Sequence, residues 1–522
     1  MKLIVLFLTL IHFVLCSCSN SITESSYEPD PNLIPTNSIT PSISSFILLQ
    51  ENNKDNLSFD IPCEIRENNT IECFARNRIE IKKLIVNIEF KGDSLALPNE
   101  TITSSKKSLI DLNQASSVIV YHKANKRKYK VILYPYTGLP YISIETTDGK
   151  DIIDEVTFKD AYARIINNPN DPISSDFFRC TIRGHGNSTW EAPKKPYNLK
   201  FETKTSLFSL PRSKSWILVA NHYDTTMIRN HIAHYISNLS QLNYTPRSQF
   251  VELILNGIHK GTYQLYEKIK VAKSRVNIND DDFLLEIENH PRNKDIYFSV
   301  KHLAEKVKIH SPDVSQGDSN YYYINNKMNF IDSILFSNEF LDKGKGYKNY
   351  IDIEALVEWY VITEITKNVS SKANWYMTYE KNGKLKMGPL WDYDLAFGNT
   401  PWGVEANIIH DFWVNSLPWF GRFLKDSTFV EKAYKRFEYF YSQKESIFNE
   451  IDITSQALKY SVIDNNTLWN VLDSNTNASE DVLKSYSSHV SKLKNWLEMR
   501  FEWIINHFNE EINTCYKAIV CK

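Results

Sequence analysis

The sequence predicts an α+β protein in which an N-terminal β-sandwich of Ig-like type precedes a mixed domain that ends in helices. Residues 43–140 contain short apolar runs such as SSFILLQ and LIVNIEF between polar turns, which is typical of a small sandwich. Residues 411–510 instead place apolar side chains at helical spacing, as in SKLKNWLEMRFEWIINHF. The chain has 522 residues, enough for two domains or more. A boundary is expected in YPYTGLP (134–140), so that the second domain spans residues 141–522.

The first residues have the pattern of an export signal. MKLIVLFLTLIHFVLCSC contains one lysine and a short apolar run, too short and too near the end to favour a membrane-spanning helix. Leu15-Cys16-Ser17-Cys18 resembles a bacterial lipobox, with cleavage before Cys18 and lipid on its sulfur. We therefore expect a signal peptide over residues 1–17 and a flexible, Pro/Ser-rich tether over 18–42. This predicts an exported bacterial lipoprotein at the outer membrane or cell surface; an uncleaved anchor is the alternative.

Charge and cysteine content narrow the class of protein further. The net charge of -2 gives no electrostatic reason to expect a nucleic-acid partner. An exported protein can form disulfides, and two pairs are close in sequence: Cys63 with Cys73, and Cys515 with Cys521. Cys180 is left over and is expected to be a buried small apolar residue.

The middle of the chain contains a recognisable order of elements. Asp352 can cap a helix whose apolar positions continue to about Lys367. The polar loop NVSSKAN (368–374) follows, and then two strand-like runs separated by Asn382-Gly383, a strong hairpin signal. An acidic motif, WDYD, comes last. Helix, polar loop, hairpin and acidic motif is the order found around a protein-kinase active site.

The two aspartates of this motif require an explanation in an otherwise apolar stretch, GPLWDYDLAFGN (388–399). In an extended segment, Asp392 and Asp394 would face the same side and repel one another. Mg²⁺ or Mn²⁺ would relieve this repulsion while binding phosphate oxygens. The alternative is structural, with Asp394 capping a helix and Asp392 in a salt bridge.

An upstream segment, RCTIRGHGNSTWEAPKKPYNLKF (179–201), has a second pattern. Gly184 and Gly186 follow an apolar strand, and small residues there would let backbone N–H groups approach a phosphate. The lysines at 194, 195 and 200 lie in or beside the next strand and could reach phosphates. Simple solvation at the surface is the alternative for each lysine.

Together these motifs resemble the CotH kinase family, named for spore coat protein H. The resemblance spans residues from about 140 to 510, and its further matching pieces are SWILVANHYDTTMIRN (215–230) and VELILNGIHKGTYQLYEKI (251–269). It implies an atypical protein-kinase-like fold that binds ATP with Mg²⁺ or Mn²⁺ and phosphorylates proteins. The protein substrate is not identified by the sequence.

Carried over by motif, the resemblance implies a role for each matching residue. Asp392 is implied as a metal ligand with Asp394 as support, and Asn374 as the catalytic-loop asparagine and second metal contact. Either Lys195 or Lys200 would contact phosphate, and Glu267 would orient that lysine by an ion pair. The residues implied for cofactor binding or supporting hydrogen bonds are Arg183, Gly184, Gly186, Asn187 and Asp224.

One position departs from the family pattern. Members of the family often have Asp where this chain has Ser370, at the place of a general base. Serine cannot accept a hydroxyl proton as a carboxylate does, and loss of a general base costs about 10²–10⁴-fold in rate without abolishing nucleotide binding. The alternative reading is therefore a catalytically inactive kinase-like surface lipoprotein that acts in assembly, adhesion or glycan binding.

Overall fold

The computed structural model describes residues 39–520, except for 80–83, 98–99, 104–105, 112–115, 167–175, 290–294, 402–404 and 473–477. The expected signal peptide, Cys18 and most of the tether lie outside the described residues. So does the expected pairing of Cys515 with Cys521, because the side chain of the former and all of the latter fall outside them.

The N-terminal part consists of two sheets over one core. Its strands are β1 (Ser42–Leu48), β2 (Ile61–Pro62), β3 (Glu64–Ile65), β4 (Thr70–Phe74), β5 (Leu84–Lys91), β6 (Ser94–Leu97), β7 (Glu100–Ile102), β8 (Lys106–Ile110), β9 (Ser116–His122) and β10 (Asn125–Tyr134). Among the described residues, one sheet has the order β2-β1-β5-β8 and the other β3-β4-β10-β9-β6-β7. Alternation along β5 buries Leu84, Val86 and Ile88 against residues of the second sheet such as Val118 and Val131.

The predicted bond between Cys63 and Cys73 is confirmed, and it joins the β2–β3 segment to β4. Cys180 is confirmed as a buried free thiol, in the core of the next unit.

A closed barrel follows the N-terminal sheets. Its strands are β11 (Tyr141–Thr146), β12 (Lys159–Ile166), β13 (Phe178–Gly184), β14 (Tyr197–Thr205), β15 (Ser213–Val219), β16 (Ser248–Leu255) and β17 (Ile258–Glu267). Within the described chain their order is β11-β12-β13-β14-β15-β17-β16, closed by parallel pairing of β11 with β16. Buried side chains such as Leu199, Trp216 and Leu265 fill the interior. Two helices belong to this part: α1 (Ser188–Glu191) and α2 (Arg229–Asn238).

The rest of the chain combines a further sheet with the C-terminal helices. Its strands are β18 (Phe283–Glu288), β19 (Tyr297–Phe298), β20 (Lys306–Ser311), β21 (Trp375–Tyr379) and β22 (Leu385–Met387), in the order β19-β20-β18-β21-β22. The helices are α3 (Ser319–Leu335), α4 (Ile353–Thr366), α5 (Pro418–Phe423), α6 (Ser427–Ser442), α7 (Lys444–Ala457), α8 (Lys459–Trp469) and α9 (Ser479–Val520). Short 3-10 helices are η1 (Gln50–Asn52), η2 (Tyr347–Asn349) and η3 (Val369–Lys372). The predicted α+β composition and helical C-terminal part are confirmed.

The local signals around the acidic motif form the predicted elements. The Asp352 side chain accepts hydrogen bonds from the backbone N–H groups of Glu354 and Ala355, so it caps α4. Asn382 has a positive φ of 63° in the turn that joins β21 to β22. Across the described residues, no helix combines the length and the apolar character that crossing a bilayer requires.

Ion pairs join the N-terminal sheets to the barrel. The Arg164 guanidinium on β12 contacts the carboxylates of Glu64 and Glu72 on β3 and β4. Arg66 binds Glu145 of β11 at 2.7 Å. Arg164 and Glu72 have side-chain exposures of 3% and 5%, so each charge depends on its partner for stabilisation. The two units are therefore docked through buried charges.

We predict that Arg164→Ala destabilises the protein by about 3–5 kcal/mol, because it leaves the Glu72 carboxylate buried without a cation. Urea unfolding followed by fluorescence measures the change. The exposed Arg179, on the next strand of the barrel, provides the matched control. Arg179→Ala should change the free energy of unfolding by no more than about 0.5 kcal/mol. Equal effects of the two substitutions would contradict a buried docking pair.

Candidate active site

Two buried asparagines fix the backbone of the acidic motif. Asn368, at the start of the polar loop, donates from Nδ2 to the carbonyl of Asp392 at 3.0 Å. Asn230, on α2, accepts from the backbone N–H of Tyr393 at 2.7 Å. Asp392 itself has a positive φ of 68°, so this segment is a turn and the simple same-side argument for an extended strand does not apply. The hydrogen bonds hold both aspartates near the polar loop and α2.

The two carboxylates influence one another electrostatically. Burial raises the pKa of Asp394 well above its usual range, and the negative charges of Asp392 and Asp224 add to this effect. Burial also raises the pKa of Asp392; a hydrogen bond from Ser370 opposes the shift, and the charge of Glu286 adds to it. Among the described residues, no ion pair joins either aspartate of the motif to a basic side chain. The predicted salt bridge of Asp392 is therefore not formed within the described part.

Asn374 ends the polar loop that hydrogen-bonds to the acidic motif. Its backbone N–H donates to the carbonyl of Ser370 at 2.7 Å, and Ser370 in turn hydrogen-bonds to Asp392. The Oδ1 atom of Asn374 is buried and finds no hydrogen-bond partner among the described residues. A buried amide oxygen without a donor is costly, and a cation would satisfy it.

The donor set fits a hard divalent cation such as Mg²⁺ or Mn²⁺. Carboxylate and amide oxygens are ligands that Mg²⁺ accepts, and one or two carboxylates with water and substrate phosphate complete its usual shell. No cluster of three or more His, Cys, Asp or Glu side chains with the geometry of a metal site occurs in the described ranges. The fit therefore depends on Asp392, Asp394 and Asn374 together.

The glycine-rich turn is built by close packing. A Cβ on Gly184 would lie 2.7 Å from the Trp190 ring and 2.8 Å from the carbonyl of Asp154. Gly186 has a φ of 92°. Asn187 is exposed and precedes α1, which has only four residues. Close packing at Gly184 and the positive φ of Gly186 explain why glycine occupies both positions, and neither reason requires a bound phosphate.

The three lysines of this segment have different environments. Lys194 is buried; its ammonium donates to the Thr262 carbonyl and, at 2.8 Å, to Asn465 Oδ1. Lys195 donates to the carbonyl of Trp190 and lies 5.1 Å from its ring centroid. Lys200 is exposed on the outer face of β14, because its neighbours Leu199 and Phe201 point into the barrel.

Two acidic residues implied by the resemblance have arginine partners. Glu267 is fully buried and binds Arg247 through both oxygens, at 2.9 and 3.0 Å, where a lysine was predicted. Asp224 accepts from the backbone N–H and guanidinium of Arg229. Asp224 therefore stabilises the start of α2, and Glu267 stabilises the end of the last barrel strand.

The structure identifies another lysine that interacts electrostatically with Glu286. Lys268 follows β17 directly, and burial lowers its pKa to about 8, with the charges of Arg183 and Lys308 acting in the same direction and Glu286 opposing. Arg183 itself lies 4.5 Å from the Phe158 ring centroid and donates to the Val156 carbonyl. Sequence reasoning missed Lys268, although it stands beside Glu267 in the matching piece LYEKI. Two lysines, Lys268 and Lys308, thus interact electrostatically with Glu286, the residue whose charge also acts on Asp392.

We predict that Asp392 and Asp394 contribute stability to the apo protein that is lost as the pH rises from the ordinary aspartate range, near pH 4, through their raised pKa values in the folded state. Both carboxyls have a raised pKa in the folded state, so they stabilise it when protonated and oppose it once ionised. Mg²⁺ or Mn²⁺ should therefore raise the melting temperature more at neutral pH than near pH 4. Differential scanning fluorimetry with metal or chelator measures this difference.

The matched variant is Asp394→Asn, which removes one of the two charges while keeping the shape of the side chain. It should flatten the pH dependence in chelator and reduce the metal-induced shift. An unchanged metal response in this variant would show that the ion binds elsewhere.

Comparison with known proteins gives one informative match. A search of curated proteins finds no match to this chain. One solved structure, from Bacteroides thetaiotaomicron, has a description that gives glycoside hydrolase as an unverified assignment. It is 13% identical, covers 58% of this chain and 88% of its own, and has a TM-score of 0.18, too low to support an argument about fold or function. A family model described as CotH kinase protein matches residues 182–504, which is more than half of the chain. The chain belongs to the CotH kinase family.

Proposed function

We propose that this chain is a lipid-anchored, kinase-like protein that binds ATP with Mg²⁺ or Mn²⁺ and transfers phosphate to a protein hydroxyl. The observation on which this depends is the pair of carboxylates in the acidic motif, whose raised pKa values reflect burial without a basic partner in the described part. Asn374, the last residue of the polar loop after α4, has a buried Oδ1 atom without a hydrogen-bond partner among the described residues. A divalent cation would neutralise the charge and coordinate the amide.

The fold expectation and the location belong to this proposal. The two N-terminal sheets support an Ig-like sandwich, and α4, the polar loop, the β21–β22 hairpin and the acidic motif support a kinase-like domain, since they occur in the kinase order. Export and lipid attachment at Cys18 are proposed from the lipobox-like LCSC. Nucleic acid is not a proposed partner.

The residues of the site divide into two groups with opposite charge. Asp392, Asp394 and Asn374 would hold the metal, which when bound neutralises phosphate charge and orients the terminal phosphate. Lys268, which follows the last barrel strand, and Lys308, which lies on β20 and pairs with Asp295 at 3.0 Å, would attract the phosphates. Phosphoryl transfer depends mostly on positioning and charge neutralisation, and these groups supply both.

A second candidate function is nucleotide binding without transfer, in a surface protein of assembly, adhesion or glycan binding. Ser370 favours this candidate, because its hydroxyl hydrogen-bonds to Asp392 and cannot act as a general base as a carboxylate would. Measured ADP formation by the purified protein separates the two candidates.

We predict that ATP binds only with Mg²⁺ or Mn²⁺, and that Asp392→Asn abolishes this binding, because the substitution removes a metal ligand. Isothermal titration calorimetry with metal or with chelator tests it on the full-length chain. Asp452→Asn is the control, since Asp452 lies on α7 and pairs with Lys494 at 2.8 Å. Unchanged affinity in Asp392→Asn would assign the acidic motif a structural role and favour the surface-scaffold candidate.

We also predict that Lys268→Met weakens ATP binding about tenfold or more, as expected for loss of a charge-assisted phosphate contact worth about 1.5–3 kcal/mol. Lys200→Met should leave the affinity unchanged, because Lys200 is exposed on the outer face of the barrel. The same calorimetric titration compares the two variants. Loss of affinity in Lys200→Met alone would contradict the role of Lys268. It would assign the phosphate contact to Lys200, one of the two lysines that the sequence favoured.

A further inference from the structure

A carboxylate–histidine pair lies on the sheet beside the acidic motif. The Nε2 atom of His310, on β20, lies 2.6 Å from Glu286 Oε2 on β18. The hydroxyl of Tyr376, on β21, also hydrogen-bonds to Glu286. Neither the metal group nor the phosphate group described above uses this pair.

The strand register places the pair on the polar face of the sheet. Glu286 is directly opposite Lys308 on one side and Tyr376 on the other, so these three side chains form a row. The pairing of β18 with β20 shifts by one residue between Ile309 and Ser311, so His310 lies at a bulge, and its imidazole contacts Glu286 directly. Asn374 lies at the end of the polar loop, two residues before Tyr376 and just before β21 begins. The charge of Glu286 also acts on Asp392, so the pair lies close to the proposed metal ligands of the acidic motif.

The ionisation state of Glu286 determines which imidazole nitrogen has the proton. Burial opposes ionisation of Glu286, but the hydrogen bond and charge of His310, with the charge of Lys308, lower its pKa below the usual range. An ionised carboxylate only accepts hydrogen bonds, so Nε2 of His310 must donate to it. The neutral imidazole then has its lone pair on Nδ1. This is the arrangement by which a carboxylate orients a histidine base in hydrolytic triads.

We propose that His310 is the general base for phosphoryl transfer in this chain, with Glu286 as its positioning residue. The proposal rests on the proposed kinase function of the neighbouring acidic motif. His310 has a side-chain exposure of 26%, against 11% for Glu286, so the imidazole can reach an acceptor while the carboxylate stays shielded. It gives the proton acceptor that Ser370 cannot supply.

The proposed step balances in atoms and charge. As the acceptor oxygen bonds to the terminal phosphorus of ATP, its proton passes to Nδ1 of His310. The bond from that phosphorus to the bridging oxygen breaks, and ADP leaves with the electron pair. Glu286 stabilises the imidazolium that forms, and the imidazolium then releases its proton to solvent.

Several charged groups around the pair will shape any pH dependence. They come from the strands and segments around it: Glu286 and Glu288 on β18, Lys308 on β20 with its ion-pair partner Asp295 at 3.0 Å, Tyr376 on β21, Lys268 after β17 and Asp392 in the acidic motif.

The test is steady-state ADP formation by the full-length chain, with water and with casein as acceptors, between about pH 5 and 8, the range in which histidine titrates. His310→Gln should lower kcat by about 10²–10⁴-fold, the usual contribution of a general base, with little change in KM for ATP. Glu286→Gln should lower kcat less, again with little change in KM for ATP, because glutamine keeps a hydrogen-bond acceptor for His310 but removes the charge that stabilises the imidazolium.

The matched control is His302→Gln, since His302 pairs with Asp332 at 2.8 Å and has a similar side-chain exposure of 27%. Wild-type kcat in this variant and loss of kcat in His310→Gln support the proposal. Wild-type kcat in His310→Gln, or loss of ATP affinity in place of kcat, overturns it. ATP binding without any ADP formation by the wild-type chain also overturns it and leaves the nucleotide site intact, whereas absence of ATP binding removes the proposed function itself.

Discussion

The repulsion between the buried carboxylate of Asp394 and the half-buried carboxylate of Asp392 is the constraint on which the rest of the site depends. Asp392 and Asp394 are kept close by backbone hydrogen bonds from Asn368 and to Asn230, not by attraction between their side chains. Those bonds come from two separate elements, the polar loop after α4 and helix α2, so the acidic motif can be maintained only in the folded domain. An arrangement that costs free energy in the apo protein is stabilised by whatever cation neutralises it.

The positive charges of the proposed site come from a different part of the chain. Lys268 follows the last barrel strand, and Lys308 lies on β20 of the neighbouring sheet. Glu286 acts electrostatically on both Lys268 and Asp392, which links the cations to the acidic motif. A polyanion bound to a metal at the acidic motif would meet cations from the barrel and from the sheet at once. Such an arrangement of opposite charges would orient the phosphates.

Features set by neighbouring residues could be predicted from sequence, and those set by strand register could not. The Asp352 cap, the Asn382 turn and the Cys63–Cys73 bond follow from short-range chemistry, and all three form. Glu267 is an example of a feature set by strand register. Its position in the barrel brings it to Arg247, twenty positions away in sequence, and no local sequence pattern predicts that pair. Lys195 and Lys200 were favoured because they follow a glycine-rich turn, but closure of the barrel turns Lys200 outward and ties Lys195 to the Trp190 carbonyl.

Serine at position 370 has a physical reason in this environment. Its hydroxyl hydrogen-bonds to Asp392, which lowers the cost of that buried charge. A carboxylate in its place would add a third negative charge to two that already repel, with Glu286 close enough to act on Asp392 as well. A proton acceptor on the sheet, held by Glu286 and screened by Lys308, avoids that accumulation of charge. The loss of the acid from the loop and the presence of the Glu286–His310 pair are thus consistent parts of one electrostatic arrangement.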